Sequence, residues 1–141
     1  MRFWDSSALV PTVVPEAGTS RVRRWMAQDG DVVIWTLTRV ELVSAFARLR
    51  RKAPQRAPEL LKARRALLEG SERWAEISAV DLVRGHAERV VERYPLRAAD
   101  ALQIAAAIVA SDGHPGSLDF VTLDLAQAEA AEHEGFQVLG P

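Results

Sequence analysis

Short apolar runs with the composition of buried strands recur along this chain, each separated from the next by enough residues for at least one helix. The clearest is Val32-Val33-Ile34-Trp35, a β-branched and aromatic run with no polar alternation. Such a run suits a strand covered on both faces, as in a parallel sheet held between helical layers. Arg2-Phe3-Trp4, Phe120 to Leu123 and Phe136 to Leu139 read as further strands, and Ala75-Glu76-Ile77 as a short one. Parallel neighbours cannot be joined by a tight turn, so every crossover must carry a helix. The fold class that follows is α/β: one domain over residues 1–141, a three-layer α/β/α sandwich around a mostly parallel sheet.

The intervening segments carry helix signals. Asp5-Ser6-Ser7 supplies start chemistry before Ala8-Leu9-Val10, and Pro11 in the first turns predicts a short or kinked helix. Gly18-Thr19-Ser20 opens a second helix with Val22, Trp25 and Met26 on one face, ended by Gly30. A third begins at Thr38, and Pro54 and Pro58 separate it from a fourth that runs to about Glu72. Leu82, Val83, Ala87, Val90 and Val91 follow the helical period until Pro95, whereas Ala101 to Ala110 is apolar nearly all round and predicts a helix packed close to the sheet through small side chains. Asp112 to Gly116 reads as a loop, and Leu125 to Glu134 as an Ala-rich helix closed by Gly135.

With 141 residues of which 48% are hydrophobic, the chain can bury one sizeable core. It has no cysteine, which excludes disulfides and thiolate metal sites and suits a reducing compartment. Asp5 and Ser6-Ser7 interrupt any apolar leader, and no run approaches the ~20 apolar residues of a membrane span, so a soluble, cytoplasmic protein is expected. The net charge of -1 conceals a basic stretch of Arg48, Arg50, Arg51, Lys52, Arg56, Lys62, Arg64 and Arg65, while no Lys or Arg follows Arg97. That division suits a polyanion held by its phosphates; a solvated helix face is the alternative. His86, His114 and His133 lack zinc-site spacing, and neither a Ser-His-Asp elbow nor a Gly-rich phosphate loop is present. Trp4, Trp25, Trp35 and Trp74 lie in or beside expected elements and are read as packing residues of the core or of a dimer face.

Four acids stand at informative places. Asp5 follows the first strand, Glu41 lies on the third helix, Asp100 precedes Ala101-Leu102-Gln103-Ile104, and Asp124 follows Phe120-Val121-Thr122-Leu123. Each has a purely structural reading: Asp5 as a helix cap, Thr38 with Glu41 and Asp124 with Gln127 as capping boxes, Asp100 as a favourable charge at a helix start. Capping is indifferent to where a helix lies. In a parallel α/β sheet, however, the carboxyl ends of the strands gather at one crevice, and Asp5 and Asp124 each fall at such an end. Several carboxylates brought together repel one another unless a hard cation such as Mg²⁺ or Mn²⁺ joins them, which points to a metal-dependent nuclease. Asp119 is a competing acid, but it sits at the other end of its strand, about 13 Å from Asp124 at the usual rise.

Asp5-Ser6-Ser7-Ala8-Leu9, Thr38-Arg39-Val40-Glu41-Leu42, Leu96-Arg97-Ala98-Ala99-Asp100-Ala101-Leu102-Gln103-Ile104-Ala105 and Phe120-Val121-Thr122-Leu123-Asp124, with the closing run Ala130 to Phe136, resemble the PIN-domain ribonucleases, in particular the VapC-type toxins of prokaryotic toxin–antitoxin pairs. The resemblance covers nearly the whole chain. It implies a Mg²⁺- or Mn²⁺-dependent endoribonuclease, a homodimer, and inhibition by a small cognate antitoxin protein. It also implies that Asp5, Glu41 and Asp100 are the strongest acidic positions and Asp124 the fourth, more variable one.

The reaction expected is hydrolysis of an RNA phosphodiester, with metal held by Asp5, Asp100 and Asp124 and by Glu41 directly or through water. Ser6 and Thr122 are expected as supporting hydroxyls, and Arg97, Arg48, Arg50, Arg51 and Lys52 as phosphate contacts. Two other readings stand beside this one: a PIN-like nuclease acting on DNA or structured nucleic acid, and a non-catalytic Mg²⁺-binding module of receiver type. The absence of any Lys after Lys62 speaks against the receiver, which wants one near its last strands.

Overall fold

All five strands run parallel in a single sheet of order β3-β2-β1-β4-β5. The computed structural model describes residues 1–141. In chain order the elements are β1 (Arg2–Trp4), α1 (Ser6–Val13), α2 (Thr19–Gln28), β2 (Val32–Trp35), α3 (Thr38–Lys52), α4 (Ala57–Ser71), β3 (Ala75–Ile77), α5 (Val80–Arg93), α6 (Ala98–Ala110), β4 (Asp119–Val121), α7 (Leu125–Glu134) and β5 (Gln137–Leu139). No helix is long and apolar enough to cross a membrane.

The unbroken apolar character of the strands has a direct cause. Side chains alternate between the two faces of the sheet, and each face has its own core. Phe3, Val33, Trp35 and Phe120 pack with Val83 and Val90 of α5 and with Ile104 and the alanines of α6. Trp4, Val32, Ile34 and Val121 pack with Leu9, Val22, Leu42, Phe46, Leu60 and Leu67 from α1 to α4 on the other side. Both faces are covered, so polar residues in the middle strands are confined to their amino ends, where Arg2 of β1 and Asp119 of β4 pair with each other.

Sheet order positions the site. From β1 the chain builds outward through β2 to β3, then returns to the far side of β1 for β4 and β5. Adjacent strands β1 and β4 therefore send their carboxyl ends to helices on opposite sides of a crevice, the place where ligands bind in open α/β sheets.

Some local features differ from expectation and others match it. β4 covers Asp119–Val121 rather than Phe120 to Leu123, because Leu123 N–H leaves the ladder to donate to Ser7 Oγ at 2.9 Å. Asp119 lies at the amino end of that strand and is bound by Arg2 Nε at 3.2 Å. β5 begins at Gln137 instead of Phe136, whose N–H is used at the end of α7, where Gly135 adopts φ 99° and Phe136 N–H reaches Ala131 C=O. The Thr38–Glu41 capping box does not form: Leu37 stands at the cap, and both side chains are engaged elsewhere. α1 accommodates Pro11 by ending two residues later, at Val13.

Candidate active site

Asp5 is the first residue beyond β1, and its carboxylate is 1% exposed. Oδ2 accepts from Ser7 N–H at 3.0 Å, capping α1, and from Thr122 Oγ1 at 3.2 Å. Oδ1 accepts from Gln127 Nε2 at 3.3 Å. The capping role is therefore real, but it engages one oxygen of two. Burial pushes the Asp5 carboxyl above its ordinary value, and the hydrogen bonds from Ser7, Gln127 and Thr122 offset only part of that.

Asp124 stands beyond β4 and caps α7, with Oδ1 accepting from Gln127 N–H at 2.8 Å. Its own N–H donates to Thr122 Oγ1 at 3.0 Å. Thr122 thus links the two strand-end acids, since its hydroxyl proton goes to Asp5 while its oxygen accepts from Asp124. Ser7 Oγ lies 3.2 Å from the same hydroxyl, which makes Ser7 the donor in that pair.

Two helices contribute the remaining acids from their first turns. Asp100 on α6 accepts from Gln127 Nε2 at 3.0 Å through Oδ1. Glu41 on α3 is half-buried, and its Oε2 accepts from Ser6 Oγ and Gln103 Nε2, both at 2.8 Å. Burial raises the Glu41 carboxyl above its ordinary value; the charges of Asp5 and Asp100 add to the rise, and Ser6 and Gln103 oppose it.

A groove of about 710 Å³ is lined by Glu41, Asp100 and Asp124 with Ser6, and by Arg48 and Arg97. Asp5 does not line it; it is connected to the groove through Gln127. A smaller groove of about 260 Å³ shares Ser6 and Arg48 with the first and adds Lys52. Arg48 and Lys52 follow Glu41 by close to whole helical turns, whereas Arg50 falls on the opposite side of α3 and Arg51 roughly a quarter-turn away. Of the five basic residues expected to contact phosphate, Arg48, Arg97 and Lys52 line these grooves, and Arg50 and Arg51 line neither. His86, His114 and His133 line neither groove as well.

None of the four acids takes part in an ion pair. Their hard oxygen donors, with two carboxyls raised and none neutralised by Lys or Arg, have the chemistry that a hard divalent cation satisfies. No three of them form a ready-made ligand cluster. Polar side chains stand between them: the Gln127 amide between Asp5 and Asp100, and Ser6 and Gln103 on Glu41.

Sequence reasoning did not assign Ser7, Gln103 or Gln127 to this network. Gln103 is fully buried and Gln127 is 3% exposed. The available signal was a long amide on the buried face of an otherwise Ala-rich helix, since such a group is costly unless it is hydrogen-bonded. Gln127 Oε1 has no hydrogen-bond partner among the protein groups.

A family model described as PIN domain matches residues 2–133. Among solved structures, FitAB bound to an IR36 DNA fragment is similar at a TM-score of 0.64 and 19% identity, over 100% of this chain and 95% of that one. FitAcB from Neisseria gonorrhoeae gives a TM-score of 0.59 at 21% identity, over 98% and 96% of the two chains. VapC20 from Mycobacterium tuberculosis, described as a sarcin-ricin loop cleaving toxin, gives 0.60 at 16% identity, over 96% of each chain. These likenesses are of fold. No curated protein matches the sequence significantly.

Proposed function

The chain belongs to the PIN domain family, and from that premise we propose that it is a Mg²⁺- or Mn²⁺-dependent endoribonuclease, the toxin of a toxin–antitoxin pair. PIN domains are typically nucleases. The observation that carries the reading is the set of four acids about the β1/β4 crevice, three of them linked by shared hydrogen-bond partners and none joined to a cationic side chain. Likeness in fold to a toxin described as cleaving the sarcin-ricin loop supports RNA as the substrate.

Asp5, Asp100 and Asp124 would hold the metal, with Glu41 as a direct or water-mediated ligand. A bound divalent ion would neutralise phosphate charge and acidify a water for in-line attack at phosphorus. The chain's own groups do the positioning. Ser7 N–H and Thr122 Oγ1 fix Asp5 Oδ2, and Ser6 and Gln103 fix Glu41 Oε2, leaving Oε1 as its free oxygen. Arg48 and Arg97 on the groove, with Lys52 beyond Arg48, supply charge for the phosphates on either side of the scissile bond. Attack by water rather than by the 2′-hydroxyl predicts 5′-phosphate and 3′-hydroxyl ends.

The test is cleavage of total RNA by the purified chain with Mn²⁺ or with EDTA, alongside Asp5→Asn and Asp100→Asn. Cutting that needs Mn²⁺ and is lost in both variants, with circular dichroism unchanged, supports the reading. Full cutting by either variant, 2′,3′-cyclic phosphate ends, or cleavage of DNA in place of RNA contradicts it. A cognate antitoxin protein, a homodimer and a cytoplasmic location belong to the same proposal. Co-purification with the product of an adjacent small reading frame that blocks cleavage is the result expected for the antitoxin.

A further inference from the structure

Gln127 is the only side chain that donates to the carboxylates of two of the four acids. Its Nε2 donates to Asp100 Oδ1 at 3.0 Å and to Asp5 Oδ1 at 3.3 Å, so the two hydrogens of one NH₂ group span two carboxylates from β1 and α6. The residue is held from behind as well, because its backbone N–H is bound by Asp124 Oδ1 at 2.8 Å. It is not serving as a capping-box partner: the Asp124 N–H that such a side chain would bind goes to Thr122 Oγ1 instead.

Two observations separate this contact from ordinary packing. The first is the unpartnered Oε1. Turning the carboxamide over would bring that oxygen against two carboxylates, so the amide keeps its nitrogen toward the acids although its oxygen then goes without a partner. The acids, not the core, set its orientation. The second is the accounting of acceptor positions. Asp5 Oδ2 already accepts from Ser7 and Thr122, whereas Oδ1 accepts from Gln127 alone. The position that Asp5 has left for a cation is therefore on the oxygen that Gln127 orients, and the same amide orients Oδ1 of Asp100.

We propose that Gln127 is a positioning residue of the metal centre. Its NH₂ group holds the Asp5 and Asp100 Oδ1 atoms at a fixed separation and offsets their mutual repulsion, so that a divalent cation meets a prepared pair. The inference rests on the nuclease reading above. Ligating carboxylates depend on such partners, and loss of one weakens metal binding by about 10–100-fold.

The test is Mn²⁺ affinity by calorimetry, with thermal melting, on the whole protein, on Gln127→Met and Gln127→Glu, which keep side-chain length, and on Asp5→Asn. Gln127→Met should raise the Kd by about tenfold or more. Gln127→Glu should lower the metal-free Tm and enlarge the Mn²⁺-induced rise, because a further carboxylate then faces the pair until a cation arrives. Wild-type protein that binds Mn²⁺ with Gln127→Met within about threefold of it overturns the inference and leaves the nuclease reading standing. Wild-type protein that binds no better than Asp5→Asn removes the nuclease reading, and the inference with it. Should Gln127→Met fail to fold, a Gln127→Glu protein with the wild-type Tm and the wild-type Mn²⁺ response overturns the inference on its own.

Discussion

Gln103 Nε2 donates to Glu41 Oε2 at 2.8 Å, tying the first turn of α3 to the buried face of α6 across 62 residues of chain. The same amide is paired with Thr38, donating to Oγ1 at 3.1 Å and accepting from it at 3.3 Å. Replacing it by an apolar residue of the same length leaves Thr38 Oγ1 without a partner and Glu41 Oε2 with Ser6 alone. Gln103→Met should lower stability by about 1–3 kcal/mol and push the Glu41 carboxyl higher still. Urea unfolding measures the first effect, and an unchanged midpoint would count against the network.

The acid pair Asp5 and Glu41 predicts an unusual pH profile for the metal-free protein. Both carboxyls are raised in the folded state, chiefly by burial. A raised group contributes stability that is complete below its unfolded pKa and is lost as pH rises through the folded value. Melting in EDTA should therefore fall as pH increases from the ordinary carboxylate range toward neutral, and Mn²⁺ should restore it most at the alkaline side. A Tm in EDTA that stays level across that range sinks the prediction.

Glu134 behaves in the opposite sense. The hydrogen bonds from Arg89, at 3.0 and 2.8 Å, hold its carboxyl below the ordinary value, with help from Tyr94 Oη at 2.9 Å. That contribution is present above the unfolded pKa and fades as pH falls through the folded one. Because Arg89 is about half exposed, solvent screens the pair, and Glu134→Gln should cost about 1 kcal/mol near neutral pH. The difference from wild type should narrow as pH falls below the ordinary carboxylate range and close only below the lowered folded value, where both chains are neutral at this position. A gap that persists in acid would show that charge is not the cause.

Groove geometry separates Arg48 and Arg97 from Arg50. Arg48→Ala and Arg97→Ala should each weaken RNA binding and reduce the salt dependence by about one counterion, whereas Arg50→Ala should leave the slope unchanged. Filter binding of a single-stranded RNA over a salt series, in EDTA to prevent cutting, reads this directly. Equal slopes for Arg48→Ala and Arg50→Ala would mean that the groove is not the track.

What the sequence by itself determined is local or periodic. Uninterrupted apolar strands imply two covered faces, Pro95 and Gly135 mark helix ends, and an acid directly after a strand stands at the sheet's carboxyl edge. These signals act within about a turn of helix or a strand's length, so residue type and spacing carry them. The placing of Asp119 at the far end of β4 from Asp124 was legible for that reason. Tertiary structure alone decided which polar groups meet. The Gln127 contact with Asp5 spans 122 residues and the Thr122 contact 117. Both depend on the adjacency of β1 and β4, their register, and the rotation of α6 and α7 about their axes. The same dependence turned Thr38 and Gln127 from expected capping partners into parts of the acid network, and it set Arg50 and Arg51 off the groove while Arg48 lines it. A helix's azimuth is set by everything packed against it, and no run of neighbouring residues encodes that sum.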